Sequence, residues 1–207
     1  MGLENIKGNY DAIFSLGDLC LTAIQLRENN LRPFAGVLDW VASPSLGTVN
    51  RLLQNRFSNF LDPSNLKPIK YVSQWDLFVL DEVNNIGFNH DFKTDKNTLT
   101  HLGGYPEVKE KYDRRIQRFL EKMSTSQRIL FVRTEATLNE VQELESTLSG
   151  MVKNDFRILV VNHSNVNDMI EKNWPLEKVC VVELPNHDIW NANNNYWKKI
   201  FEGVSLV

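Results

Sequence analysis

The sequence predicts an α/β fold: a layered sandwich around a mostly parallel sheet, with a small antiparallel hairpin annex near residues 75–92. Three observations carry this. First, short apolar runs ending on polar groups recur along the chain: DAIFS from Asp11, RILFVRTE at 128–135, FRILVVNHS at 156–164 and KVCVVELPNHD at 178–188. Such runs read as strands buried on both faces. Second, helical patterns alternate with them, which demands parallel pairing through right-handed crossovers. Third, the rhythm breaks at WDLFVLDEVNNIGFNHDF, two strands joined at Val83-Asn84-Asn85. Asparagines at such a joint favour a hairpin turn.

The elements follow in order. After the first strand comes the helix-like LCLTAIQLREN, with Asp18 placed as its N-cap. On a helical wheel Leu19, Ala23 and Leu26 form its buried face, and Cys20 and Ile24 lie at the edge. SLGTVNRLLQNRFSNFL, after Pro44, reads as an amphipathic helix. KTDKNTLTHLGGYPE, with paired glycines and a proline, reads as the most mobile loop. EVKEKYDRRIQRFLEKM is a strong helix with Val108, Tyr112, Ile116, Phe119 and Met123 on one stripe. Leu138 to Leu148 is helical, Asn167 to Asn173 is a shorter and weaker helix, and Tyr196 to Phe201 closes the chain.

At 207 residues, 42% hydrophobic and 24% charged, the chain fits one domain spanning 1–207. The 23 basic and 26 acidic side chains leave a net charge of −3, with no block of one sign. That balance argues against nucleic acid or a membrane surface as partner, leaving a small-molecule or peptide substrate. Neither a spanning apolar run nor a secretion signal is evident, so a cytoplasmic protein is expected. Cys20 and Cys180 have no metal-ligand spacing with each other or with the histidines, and SLGDLC has one glycine where a dinucleotide or phosphate loop needs more. No cofactor and no metal are therefore expected. Oligomeric state has no sequence signature here.

Cys20 admits two readings. At a helix N-terminus the unpaired amides and the helix dipole favour a thiolate, while the nearby Asp18 carboxylate opposes it. A cysteine at the edge of an apolar face is also a common packed residue. Cys180, inside the strand VCVVEL, reads as core. A thiol nucleophile needs a base and a group to orient that base. In GFNHDF, strand alternation places Phe88, His90 and Phe92 on one face and Asn89 and Asp91 on the other. His90 is then a candidate base with Asp39 as its orienter, or a histidine packed between phenylalanines. A second constellation sets Cys20 with His187 and Asp188, because His163, His187 and Arg133 all follow strand C-termini, where ligands of open α/β sheets gather. Lys111, Arg114 and Arg118 form a basic stripe suited to an anion, unless Glu107, Glu110, Asp113 and Glu121 neutralise it.

With SLGDLC, LR at 26–27, DW at 39–40, HDF at 90–92, KYDRR at 111–115 and VR at 132–133 in the same order, the chain resembles a bacterial domain family of unknown function described as papain-like cysteine peptidases. Val37-Leu38 stand where the family has Pro-Phe. The resemblance implies Cys20 as nucleophile, His90 as general base and Asp39 or Asp91 as orienter. A papain-like fold sets a cysteine-bearing helix against an antiparallel barrel, whereas the strand-helix alternation here points to a parallel sheet. The expected function is a cysteine-dependent hydrolase or acyltransferase of the peptidase or amidase type. The alternative is a non-catalytic or sugar-pathway protein holding an anionic ligand with Arg114, Arg118 and Arg133.

Overall fold

A computed structural model describes residues 1–207. In chain order the elements are β1 (Gly8–Tyr10), β2 (Ala12–Ser15), α1 (Leu21–Glu28), β3 (Val41–Ala42), α2 (Leu46–Gln54), β4 (Leu66–Tyr71), β5 (Asp76–Asp81), β6 (Ile86–Lys93), β7 (Asn97–Thr98), β8 (His101–Leu102), α3 (Tyr105–Thr125), β9 (Arg128–Thr134), α4 (Leu138–Met151), β10 (Asp155–Ser164), β11 (Ile170–Lys172), β12 (Val179–Pro185), α5 (Asn194–Ile200) and β13 (Val204–Leu206).

The four apolar runs pair in parallel in the order β12-β10-β9-β2, with β11 antiparallel at the β12 edge. Register follows the apolar pattern: Phe14 lies beside Phe131, Phe131 beside Ile158, and Ile158 beside Val179. Alternate residues supply two cores. Phe14, Ile129, Phe131, Ile158 and Val160 pack with α2, α3, α4 and the antiparallel strands. Ile13, Leu130, Val132, Leu159 and Val161 pack with Leu26 of α1 and with Trp197 and Ile200 of α5. Helices on both faces make a three-layer sandwich, so every loop at the strand C-termini converges on one edge.

The annex is larger than the hairpin expected. Its strands run β3-β6-β5-β4, all antiparallel. β4 carries Pro68 and two lysines among its six residues, which hid it from pattern reading. The β5–β6 turn falls at the expected asparagines, with Asn85 at φ 47°. Asn84 is held there by Asp81 and the Asn59 carbonyl.

Three further expectations give way. Asn167 to Asn173 is not helical; it contains the edge strand β11, which gains backbone partners from β12. The α2 helix stops at Gln54, followed by Arg56 and Phe57 at positive φ, so that Phe57, Phe60 and Leu61 turn into the core. The segment expected to be a mobile loop folds as the β7–β8 hairpin, where the buried Asn97 accepts the Gly104 N–H and donates to the Lys93 carbonyl. No helix is long and apolar enough to cross a membrane.

Candidate active site at the C-terminal edge of the parallel sheet

The turn after β2 sets Cys20 at the start of α1. Gly17 (φ 80°) and Asp18 (φ 70°) both take left-handed conformations. A side chain on Gly17 would meet Ser43 Oγ at 2.4 Å, so glycine is required there. Asp18 is therefore part of the reversal and not the N-cap; Cys20 occupies that position, with its carbonyl accepting the Ile24 N–H. The amides of Cys20, Leu21, Thr22 and Ala23 make no backbone hydrogen bond, as is usual for the first turn of a helix, where such amides favour an anion. The helix faces its neighbours with Leu21, Ala23 and Leu26, whereas Leu19 is 36% exposed and lies off the helix.

Cys20 is half-buried and free. Burial pushes its thiol up, and its own backbone N–H acts weakly against this. A thiol so placed rests protonated at neutral pH, so any nucleophilic role requires a base. No histidine ring is hydrogen-bonded to it in the unliganded protein. Cys180 is fully buried, and desolvation raises it to about 12, consistent with its expected place in the core.

Arg133, expected at the strand edge as an anion ligand, faces inward instead and is completely buried. Its guanidinium donates to the Leu16 carbonyl at 2.9 Å, to Ser43 Oγ at 2.9 Å and to the Ser43 carbonyl at 2.7 Å. Asp18 Oδ1 lies 3.8 Å away. Burial lowers the Arg133 pKa to about 10, with Asp18 opposing. It ties the Cys20 turn to the start of α2, and Thr134 Oγ1 adds a bond to the Gly17 carbonyl at 3.2 Å.

The residues expected to serve Cys20 are engaged elsewhere or exposed. A bulge in β6 breaks the alternation: Phe88 pairs with Val79 and Phe92 with Leu77, so three residues of β6 bridge the span of one in β5. Both phenylalanines stay buried while His90 turns out to solvent, which overturns the packed reading of that ring. Asp39 accepts Arg32 Nε at 2.6 Å and the Gly36 N–H at 2.7 Å, closing its own loop. Asp91 accepts Lys111 Nζ at 2.5 Å and Tyr112 Oη at 2.9 Å, joining β6 to α3. Neither carboxylate is bonded to His90.

The other candidates are also engaged or exposed. His187 is exposed, and Asp188 caps its own turn through the Trp190 and Asn191 amides. Arg114 pairs with Glu110, and Arg118 lies over the Phe34 ring at 4.5 Å, so the basic stripe is neutralised or packed. No group of three or more His, Cys, Asp or Glu side chains is arranged to hold a metal ion.

One pair escaped the sequence reading. His163, near the end of β10, has a side chain only 4% exposed, and its Nδ1 lies 2.5 Å from Glu135 Oε1. The carboxylate can only accept, so Nδ1 carries the proton and Nε2 presents its lone pair. Nε2 is buried and has no partner. Glu135 reaches the ring from a left-handed residue (φ 53°) directly after β9, and also accepts the His163 N–H at 3.2 Å. His163 and Glu135 are both among the charged neighbours of Asp18, whose carboxyl burial raises above its usual range. The available signal was positional: each follows a parallel strand at the sheet edge.

Residues 11–166 match the model of a family described as "Putative papain-like cysteine peptidase (DUF1796)". The chain belongs to this family. The matched span contains Cys20, Asp39, His90, Glu135 and His163, and excludes His187 and Asp188. The chain is also 28% identical to an uncharacterized protein of Acanthamoeba polyphaga mimivirus, over 92% of its own length and 97% of the relative's. That relative is viral, so the bacterial restriction of the resemblance is not carried forward. No solved structure matches the chain. Family membership therefore comes with a parallel α/β sandwich, in which the cysteine-bearing helix lies against the parallel sheet.

Proposed function

We propose that the protein is a cysteine-dependent hydrolase or acyltransferase of the peptidase or amidase type, with Cys20 as the nucleophile. The observation that carries this reading is the position of Cys20, at the N-cap of α1 and the C-terminal edge of the parallel sheet, beside unpaired amides. The family description supports it independently.

In this reading the thiolate adds to an amide, ester or thioester carbonyl, and the carbonyl π pair moves to oxygen. The open amides at the start of α1 lie where an oxyanion is stabilised, an effect worth about 3–4 kcal/mol for a single donor in comparable sites. Collapse expels the amine, alcohol or thiol and leaves a thioester on Cys20, whose acyl group then passes to water or another acceptor.

Reaction with p-nitrophenyl acetate tests the assignment. The wild type is expected to release p-nitrophenolate in a burst and to carry an acetyl group on the Cys20 peptide. Cys20→Ala should lose the burst while its circular dichroism and melting temperature stay close to the wild type. A Cys20→Ala protein that keeps the full burst refutes the nucleophile.

A further inference from the structure

A protonated, half-buried thiol needs a proton acceptor, and the expected acceptor, His90, lies on the antiparallel sheet with its ring in solvent. Strand parity indicates where another sits. Along β10, Ile158 and Val160 face the core of α2, α3 and α4, while Leu159 and Val161 face the core beneath α1 and α5. His163 continues the second set, so its ring lies on the face that α1 covers. Cys20 opens α1 at the same edge of the sheet.

The ring is already set for the task. Glu135 holds the Nδ1 proton and so leaves Nε2 free to accept one, as a carboxylate bonded to the far ring nitrogen does for functional histidines. An unpartnered buried nitrogen is costly, and such a group calls for a functional explanation. Other unpartnered buried atoms share this face. Thr22 Oγ1 stands two residues after Cys20, and Asn193 Oδ1 sits at the start of α5, tied by its Nδ2 to the Pro185 carbonyl at the end of β12.

We infer that His163 is the general base of this site and Glu135 its positioning residue; the inference rests on Cys20 being the nucleophile. The Cys20 S–H proton passes to His163 Nε2 as sulfur bonds to the carbonyl carbon. The same proton then goes to the departing amine or alcohol when the tetrahedral adduct collapses. In deacylation Nε2 takes a proton from water as its oxygen adds to the thioester, and returns it to the departing Cys20 sulfur. Charged groups at this corner are Asp18 from the β2–α1 turn and Glu135 after β9, while Arg133 on β9 turns to the opposite face and reaches Asp18 from there at 3.8 Å. All three remain in place during the test of His163.

The experiment measures the acylation rate of the full chain with p-nitrophenyl acetate against pH, with folding verified by circular dichroism. For the wild type the rate should rise at a pH below the thiol range and then level off. His163→Gln should lose about a hundredfold at pH 7 and shift its rise to the thiol range, near or above pH 9. Glu135→Gln, the gentler second variant, should lose about tenfold with a smaller shift. His90→Gln and His187→Gln should match the wild type. A wild-type profile in both His163→Gln and Glu135→Gln, with the burst still abolished by Cys20→Ala, overturns the base and leaves the nucleophile standing. A large loss in His90→Gln or His187→Gln without one in His163→Gln does the same, and a full burst in Cys20→Ala removes both.

Discussion

Asp18 shows how a single side chain at this site works against stability. It takes a left-handed conformation and is mostly buried, and its carboxyl is raised above the usual range by desolvation, with Arg133 opposing from 3.8 Å. A carboxyl raised on folding contributes stability that is fully present below its unfolded pKa, about 3.9, and lost as pH rises through the folded value. At neutral pH the charge is therefore a burden. Asparagine tolerates the same backbone and carries no charge. Asp18→Asn should raise the melting temperature at pH 7 by about 2–4 °C, corresponding to up to about 1 kcal/mol, with the gain shrinking as pH falls towards 4. Thermal scans at the two pH values check both sign and window. The identity of Asp18 was plain in SLGDLC; its role was misread, because a cap and a left-handed turn residue draw on the same residue types.

The decisive element is the β2–α1 turn, which carries the nucleophile and is held from three directions. Arg133 binds the Leu16 carbonyl, Thr134 binds the Gly17 carbonyl, and Ser43 accepts the Asp18 N–H at 3.1 Å. Gly17→Ala would force a left-handed alanine against Ser43 Oγ and the Leu38 carbonyl. We expect a loss of about 2–3 kcal/mol, read from the urea midpoint, together with slower Cys20 acylation, since the same distortion displaces the helix start. By contrast, α4 was legible in its start and its stripe: expected over Leu138 to Leu148, it runs to Met151, and its Thr137–Glu140 capping box and its buried Val141, Leu144 and Leu148 follow local rules. Long regular helices reveal themselves through periodicity, whereas a turn fixed by partners 25 and 117 residues away does not.

At the scale of the whole molecule, Asp91 couples the antiparallel sheet to α3 through Lys111 and Tyr112. If that linkage is its role, Asp91→Ala should cost about 2–4 kcal/mol by leaving a lysine and a buried tyrosine hydroxyl without their acceptor. Hydrogen exchange should quicken in β5 and β6, while the pH profile of acylation keeps its shape; a shifted profile would instead assign Asp91 to catalysis. The mostly parallel sheet, its four apolar strands, the main helices and the chemical candidacy of Cys20 were all determined by the sequence itself, because burial on both faces and helical periodicity are local properties of composition and spacing. Which histidine shares a face with Cys20 was decided only by tertiary structure. The bulge at His90, the inward turn of Arg133 and the pairing of Glu135 with His163 depend on register between strands far apart in the chain. A one-residue change in register sends a side chain to the opposite face.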